Sequence, residues 1–230
     1  MEALFYRDEF LSIASHELKT PLTSIKLQTQ VFKRNTTKDA LKAYSKENVD
    51  RMIHQIEMQT NRMMKLIEDM LDISRIRSGQ LTITKSHFNL TELVWDISQQ
   101  HPDAELLRFN LEEEINFVGD QDRIAQVLMI LLNNAARYGK GLPVDVALFQ
   151  KKSKIFLTVT DQGEGIAQED QRRIFHRFQR AIPASQVSGL GLGLYIAREI
   201  IEAHKGKISV KSEPDKGSIF TIEFKREELQ

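Results

Sequence analysis

Residues 15–22 read Ser-His-Glu-Leu-Lys-Thr-Pro-Leu, setting a titratable imidazole, His16, beside a carboxylate, Glu17. A neutral imidazole nitrogen is a competent nucleophile near neutral pH, and an adjacent carboxylate can hold the tautomer it needs. Zinc hydrolysis is excluded: the motif H-E-x-x-H requires His where Thr20 stands. His54, His87, His101, His176 and His204 lack metal-ligand spacing. Four more clusters follow. Asn134-Ala135-Ala136-Arg137-Tyr138 offers an amide oxygen for a hard cation and a guanidinium for phosphate. Asp161-Gln162-Gly163-Glu164-Gly165 puts a carboxylate after a strand, with glycines that let a flat ligand approach the backbone. Phe175-His176-Arg177-Phe178 precedes the unpatterned residues 179–188, which contain Pro183 and suit a lid with aromatic anchors. Gly189-Leu190-Gly191-Leu192-Gly193-Leu194 opens a helix whose N-terminal amides favour anions. Singly these are a helix end, a turn, a loop and a glycine-rich turn; their order gives them weight.

The elements that must carry these residues are legible from hydrophobic periodicity. Leu4, Leu11, Leu18, Leu22, Ile25 and Phe32 mark one buried face of a helix over residues 4–33. His16 lies about 200° around from Leu18, so it faces outward. Asn35-Thr36-Thr37 should interrupt this helix, Asp39 offers a fresh start, and Pro21 should kink it one turn from His16. A second helix runs through Val49, Met52, Ile56, Gln59, Met63, Leu66, Met70 and Ile73, a heptad seam. The two form an antiparallel hairpin whose stripe needs a second copy to cover it, which predicts a homodimer.

After Arg77-Ser78-Gly79 the pattern changes. Residues 90–97, 121–137 and 194–203 read as helices, with Asp120 as an N-cap. Val144, Val146 and Leu148 alternate as a strand, as do Ile155, Leu157 and Val159, then Ile208 with Val210, and Phe220, Ile222 and Phe224. The second half is thus a sheet faced on one side by helices, and the domains are residues 1–78 and 79–230.

Composition bounds the function. Lys and Arg total 32, as do Asp and Glu, so no overall basic field calls for nucleic acid or an anionic membrane. The absence of cysteine excludes disulfides and thiolate metal sites. No apolar run reaches the ~20 residues needed to span a bilayer, and no membrane contact is expected in this stretch. Residues 1–10 read as the tail of a helix entering from upstream, so a sensor segment is expected there. The core should be cytoplasmic, with the full-length protein open to membrane attachment.

Taken together, these motifs resemble the sensor histidine kinases of two-component signalling over nearly the whole chain. The resemblance implies an α + α/β architecture: a helical hairpin forming a dimeric four-helix bundle, followed by an α/β sandwich ATP-binding domain of the gyrase and Hsp90 type. It implies Mg²⁺ and ATP as cofactors, phosphorylation of His16, and transfer to an aspartate of a response regulator receiver domain. Glu17 would be the acid or base, and Thr20 would position water for dephosphorylating the partner. Asn134 would bind Mg²⁺, Arg137 phosphate and Tyr138 the nucleoside. Asp161 would accept from the adenine amino group beside Gly163 and Gly165. Phe178 would anchor the lid, Arg180 would reach the γ-phosphate, and Gly189, Gly191, Leu192 and Gly193 would cradle the phosphates. The chain departs from the family where Ile130 replaces an Asn, Gln179 an aromatic and Lys205 a glycine. Ile130 keeps a second reading open: a kinase-impaired nucleotide-binding scaffold, or mainly a phosphatase.

Overall fold

The computed structural model describes residues 2–179 and 190–226, with side chains from residue 12 onward. Two compact units divide between Asp72 and Ile73. The first holds α1 (Glu2–Lys38), α2 (Ala40–Ala43) and α3 (Lys46–Arg77) as far as Asp72, and the last residues of α3 belong to the second. α1 does not end at the Asn-Thr-Thr stretch. The hydroxyls of Thr36 and Thr37 donate to the carbonyls of Lys33 and Arg34, each at 2.7 Å, so they complete the last turn instead of breaking it. The break falls at Asp39, whose extended backbone (φ −152°) and carboxylate, accepting from the Lys42 amide at 3.0 Å, cap α2. α1 also passes through Pro21 without ending.

Packing within the hairpin draws on part of the expected stripe. Leu66 and Ile73 are buried, as are Ala14, Pro21 and Ala43, while Leu18, Ile25 and Phe32 are half-buried. Leu22 is a correction: expected on the buried face, it is 56% exposed. α3 stops at Gly79, whose left-handed backbone (φ +67°) lets the Gln80 amide reach back to the Arg75 carbonyl at 2.8 Å.

The second unit contains β1 (Ser86–Asn89), α4 (Leu90–Gln99), β2 (Leu107–Leu111), β3 (Asn116–Gly119), α5 (Gln121–Tyr138), β4 (Val144–Lys151), β5 (Lys154–Asp161), α6 (Gly193–Ala203), β6 (Lys207–Ser212) and β7 (Ser218–Lys225). Five strands form one sheet in the order β2-β4-β5-β7-β6; β2 pairs parallel with β4 and the other pairs are antiparallel. The alternating residues Val146, Leu148, Leu157, Val159, Phe220 and Ile222 are buried beneath helices that bury Val127, Leu131, Ile196 and Ile200. β1 and β3 form a separate two-stranded antiparallel sheet. The α4 N-cap is Asn89, and Asp120 caps α5 by accepting from the Arg123 amide at 3.1 Å.

Candidate active site

Within the helical unit, His16 projects from α1 into solvent, and its ring makes no hydrogen bond to another described residue. Glu17 turns towards α3, where its Oε2 accepts from Arg62 Nη2 at 3.2 Å. Both side chains are largely covered, at 18% and 33% exposure, so the pair is better insulated than a surface ion pair. Thr20 donates its hydroxyl to the His16 carbonyl at 3.2 Å, one turn back. Pro21 supplies no amide to the next carbonyl, that of Glu17. Local geometry thus leaves the His16 ring open while it fixes Glu17.

In the α/β unit the sheet delivers Asp161 to the end of β5, where only 5% of it is exposed. Its Oδ1 accepts from the Gly163 amide at 2.9 Å. Across the ladder it is paired in register with Ser218 at the start of β7, which contributes backbone and hydroxyl hydrogen bonds. Burial pushes the Asp161 carboxyl above the usual range, against the pull of those bonds. Ser218 in turn meets Ser212, Oγ to Oγ at 3.0 Å, while Ser212 donates to the Gly217 carbonyl and accepts from the Ile166 amide.

The glycines after Asp161 serve a purpose different from the one expected. A Cβ on Gly163 would run into the Tyr138 carbonyl, and one on Gly165, at φ +66°, into the Glu213 carbonyl. Protein backbone, not a flat ligand, fills the room these glycines leave. Gly163 lets the turn sit directly against the end of α5, which carries Asn134, Arg137 and Tyr138. Asn134 and Tyr138 are half-buried and Arg137 is exposed.

Ile130, one turn before Asn134, is buried, with Cγ2 3.3 Å from where a Cβ on Gly193 would lie. It offers α6 an apolar contact and the site no oxygen. Gly191 takes the left-handed conformation (φ +66°) and Leu192 caps α6 without any side-chain hydrogen bond, leaving the first amides of the helix available. Leu192 itself is 1% exposed, so it can offer a ligand its backbone but not its side chain.

Phe175 is buried edge-on against Phe220 at 6.4 Å between ring centres. Phe178 is half-buried with a left-handed backbone (φ +60°). Gln179, where the family has an aromatic, accepts from Arg173 at 3.1 Å. Arg180, Gly189 and all of the expected lid segment 179–188 except Gln179 lie outside the described residues. Among the described residues no group of three or more His, Cys, Asp or Glu could hold a metal ion. Mg²⁺ does not require one: it keeps several waters and commonly takes one or two protein oxygens beside substrate phosphates, which Asn134 fits.

Two residues, Arg62 and Ser218, escaped sequence reasoning, and His204, set aside there as a metal ligand, has a structural role. Arg62 flanks the heptad seam, where no local pattern marks its reach to Glu17. Ser218 follows Gly217 at the head of an alternating strand, and only strand register sets it opposite Asp161. His204 donates from Nδ1 to the Ile200 carbonyl (2.8 Å) and accepts at Nε2 from the Asp120 amide (2.9 Å), tying the end of α6 to the start of α5.

Comparison with known proteins adds the family. Residues 6–79 match the His Kinase A (phospho-acceptor) domain, and residues 119–228 match the histidine kinase-, DNA gyrase B- and HSP90-like ATPase. The adaptive-response sensory kinase SasA of Thermosynechococcus vestitus is 32% identical over 233 residues, covering 95% of this chain and 60% of that protein. The sensor histidine kinase YkoH of Bacillus subtilis is 32% identical over 223 residues, covering 95% of this chain and 47% of its own length. The chain thus spans about half the length of the curated relatives it matches. The structure of the histidine kinase AdeS of Acinetobacter baumannii superposes with a TM-score of 0.66 at 26% identity, covering 92% of this chain and 98% of that one. The fold also matches histidine kinase ThkA in complex with response regulator protein TrrA, with a TM-score of 0.67 at 22% identity, over 98% of this chain and 64% of that one. With a phospho-acceptor hairpin at one end and a gyrase-type ATPase fold at the other, the chain belongs to the sensor histidine kinase family of two-component systems.

Proposed function

We propose that this chain is an ATP-dependent histidine kinase core that phosphorylates its own His16 and passes the phosphoryl group to an aspartate of a response regulator receiver domain. The observation that carries the reading is Asp161: a buried carboxylate at a strand end, held by Gly163 and Ser218, of the kind that accepts a hydrogen bond from an adenine amino group. The uncapped turn from Gly191 to Gly193 suits the phosphates. Asn134 is the residue to hold Mg²⁺, which when bound neutralises phosphate charge. Arg137, Arg180 and the α6 amides supply the remaining positive potential.

In the first transfer a nitrogen of neutral His16 attacks the γ-phosphorus, the bond to the bridging β–γ oxygen breaks and ADP leaves. On this reading Glu17 is the base that takes the ring proton during transfer; in the structure its carboxylate is engaged by Arg62 instead. In the second, a receiver aspartate attacks the same phosphorus, the P–N bond breaks and the ring regains its proton from Glu17, returning His16 to its starting state. Thr20 positions the water that reverses this product when the chain acts as a phosphatase. The fold neighbour solved with a response regulator supports this class of partner.

A homodimer completes the hairpin: Leu22, Ile53, Met64, Ile67 and Leu71 all stay more than 40% exposed in one copy. No helix among the described residues is long and apolar enough to cross a membrane. Incubation with γ-labelled ATP and Mg²⁺ should give an acid-labile label on wild type and none on His16→Gln. Nucleotide binding without any label would favour the kinase-impaired scaffold that Ile130 suggests.

A further inference from the structure

Tyr195 has no place in the chemistry above, yet it is one of the most heavily engaged side chains in the α/β unit. It is the third residue of α6 and 7% exposed. The Arg177 guanidinium carbon lies 5.3 Å from its ring centre and that of Arg198 lies 5.6 Å away. Its hydroxyl bonds to Glu199, which meets Arg198 at 3.5 Å, and Arg198 also reaches Glu202 at 3.7 Å. Two cations near one ring would repel each other without these carboxylates. Burial keeps the phenol neutral by raising its pKa, so the ring presents its face to the cations and not a charge.

The two Tyr195 arginines differ in position. Arg198 belongs to α6 itself, whereas Arg177 belongs to the turn that ends at Phe178. That turn holds a non-glycine residue in a left-handed conformation, which its surroundings must maintain. Phe175 pins the turn to β7 through Phe220, and Arg177 pins it to the first turn of α6, two residues past Gly193.

Resting on the reading of this unit as a nucleotide site, we propose that Tyr195 is a positioning residue: by holding Arg177 over its ring it sets the Phe175–Phe178 turn in register with the glycine turn that receives the phosphates.

Binding of trinitrophenyl-ATP and the ATP dependence of His16 labelling test this. Tyr195→Leu and Arg177→Gln should each weaken binding and raise KM about 3- to 10-fold with the rate at saturating ATP unchanged. The double variant should be no weaker than the poorer single one, and Tyr195→Phe, which keeps the ring face, should lie within about twofold of wild type. Arg177 is exposed, so its variant should melt with wild type; if Tyr195→Leu fails to fold, Arg177→Gln and Tyr195→Phe carry the test. Unchanged affinity in Arg177→Gln, additive losses, or a Tyr195→Phe as weak as Tyr195→Leu would overturn the proposal. Loss of binding in Asp161→Asn reports on the site separately: wild type that binds no nucleotide would sink the site, not the register.

Discussion

Ile130 on α5 and Gly193 at the start of α6 meet so closely that a methyl group of the first stands 3.3 Å from where a Cβ on the second would be. The position where the family has an amide is here an apolar wedge between the helix bearing Asn134 and the turn proposed to take the phosphates. Ile130→Asn would put a second amide on the face of α5 that Asn134 shares, since the two are one turn apart. The Mg²⁺ concentration for half-maximal His16 labelling should fall several-fold. Burying an amide in this contact should cost about 1–3 kcal/mol. A Mg²⁺ titration and a urea melt read the two effects, and an unchanged Mg²⁺ dependence would remove the metal role from this position.

Asp161 separates binding from stability. Its folded-state pKa is raised, so its contribution to stability is fully present below about pH 3.8 and is lost as pH rises through the folded value. At pH 7 the ionised carboxylate therefore costs the empty protein something. Asp161→Asn should leave the melting temperature at pH 7 unchanged or higher, while ATP affinity falls by the about 1.5–3 kcal/mol of a charge-assisted hydrogen bond. Calorimetry with and without nucleotide measures both. A destabilised variant with normal affinity would make Asp161 a structural residue.

His204 gives the unit an acid limit. Burial lowers its pKa below 6.5, and in the folded state Nε2 must stay unprotonated to accept from the Asp120 amide. With a depressed folded pKa, its contribution is present above about pH 6.5 and is lost as pH falls through the lower folded value. Melting temperature should decline over that window, and His204→Gln should flatten the decline while lowering stability at pH 7 by about 1–3 kcal/mol through the orphaned amide. A profile with the same slope in the variant would assign the acid sensitivity elsewhere.

How far the sequence could be read depended on whether a feature was local. Strands β4, β5, β6 and β7 announce themselves by alternation, and α5 by the Asp120 cap, because burial on one face imposes a period within a few residues. β1, with Ser86, His87 and Asn89 around a single Phe88, carries no such period and exists through its pairing with β3. The same distinction holds in the site. His16, Asn134, Asp161 and the glycines stand in contiguous motifs, but Arg62 reaches Glu17 from the other helix of the hairpin and Ser218 reaches Asp161 across the sheet. The glycines show a relationship that only the fold reveals: the space beside Gly163 and Gly165 belongs to the carbonyls of Tyr138 and Glu213.

The hairpin makes the last prediction. Ile53, Met64, Ile67 and Leu71 are 43–55% exposed. At about 100° per residue they fall on one stripe, about 145° round α3 from the stripe of Leu66 and Ile73. The expected seam is therefore spent largely within the hairpin, and a second stripe is what a partner copy would cover. Light scattering at micromolar concentration should report a dimer. Ile67→Glu with Leu71→Glu should give a monomer of unchanged helical content, because both residues point away from the buried face and each charge would otherwise have to be desolvated in the interface. A wild-type monomer would overturn the four-helix bundle. A dimer that survives both charges would move the interface to another face of the hairpin.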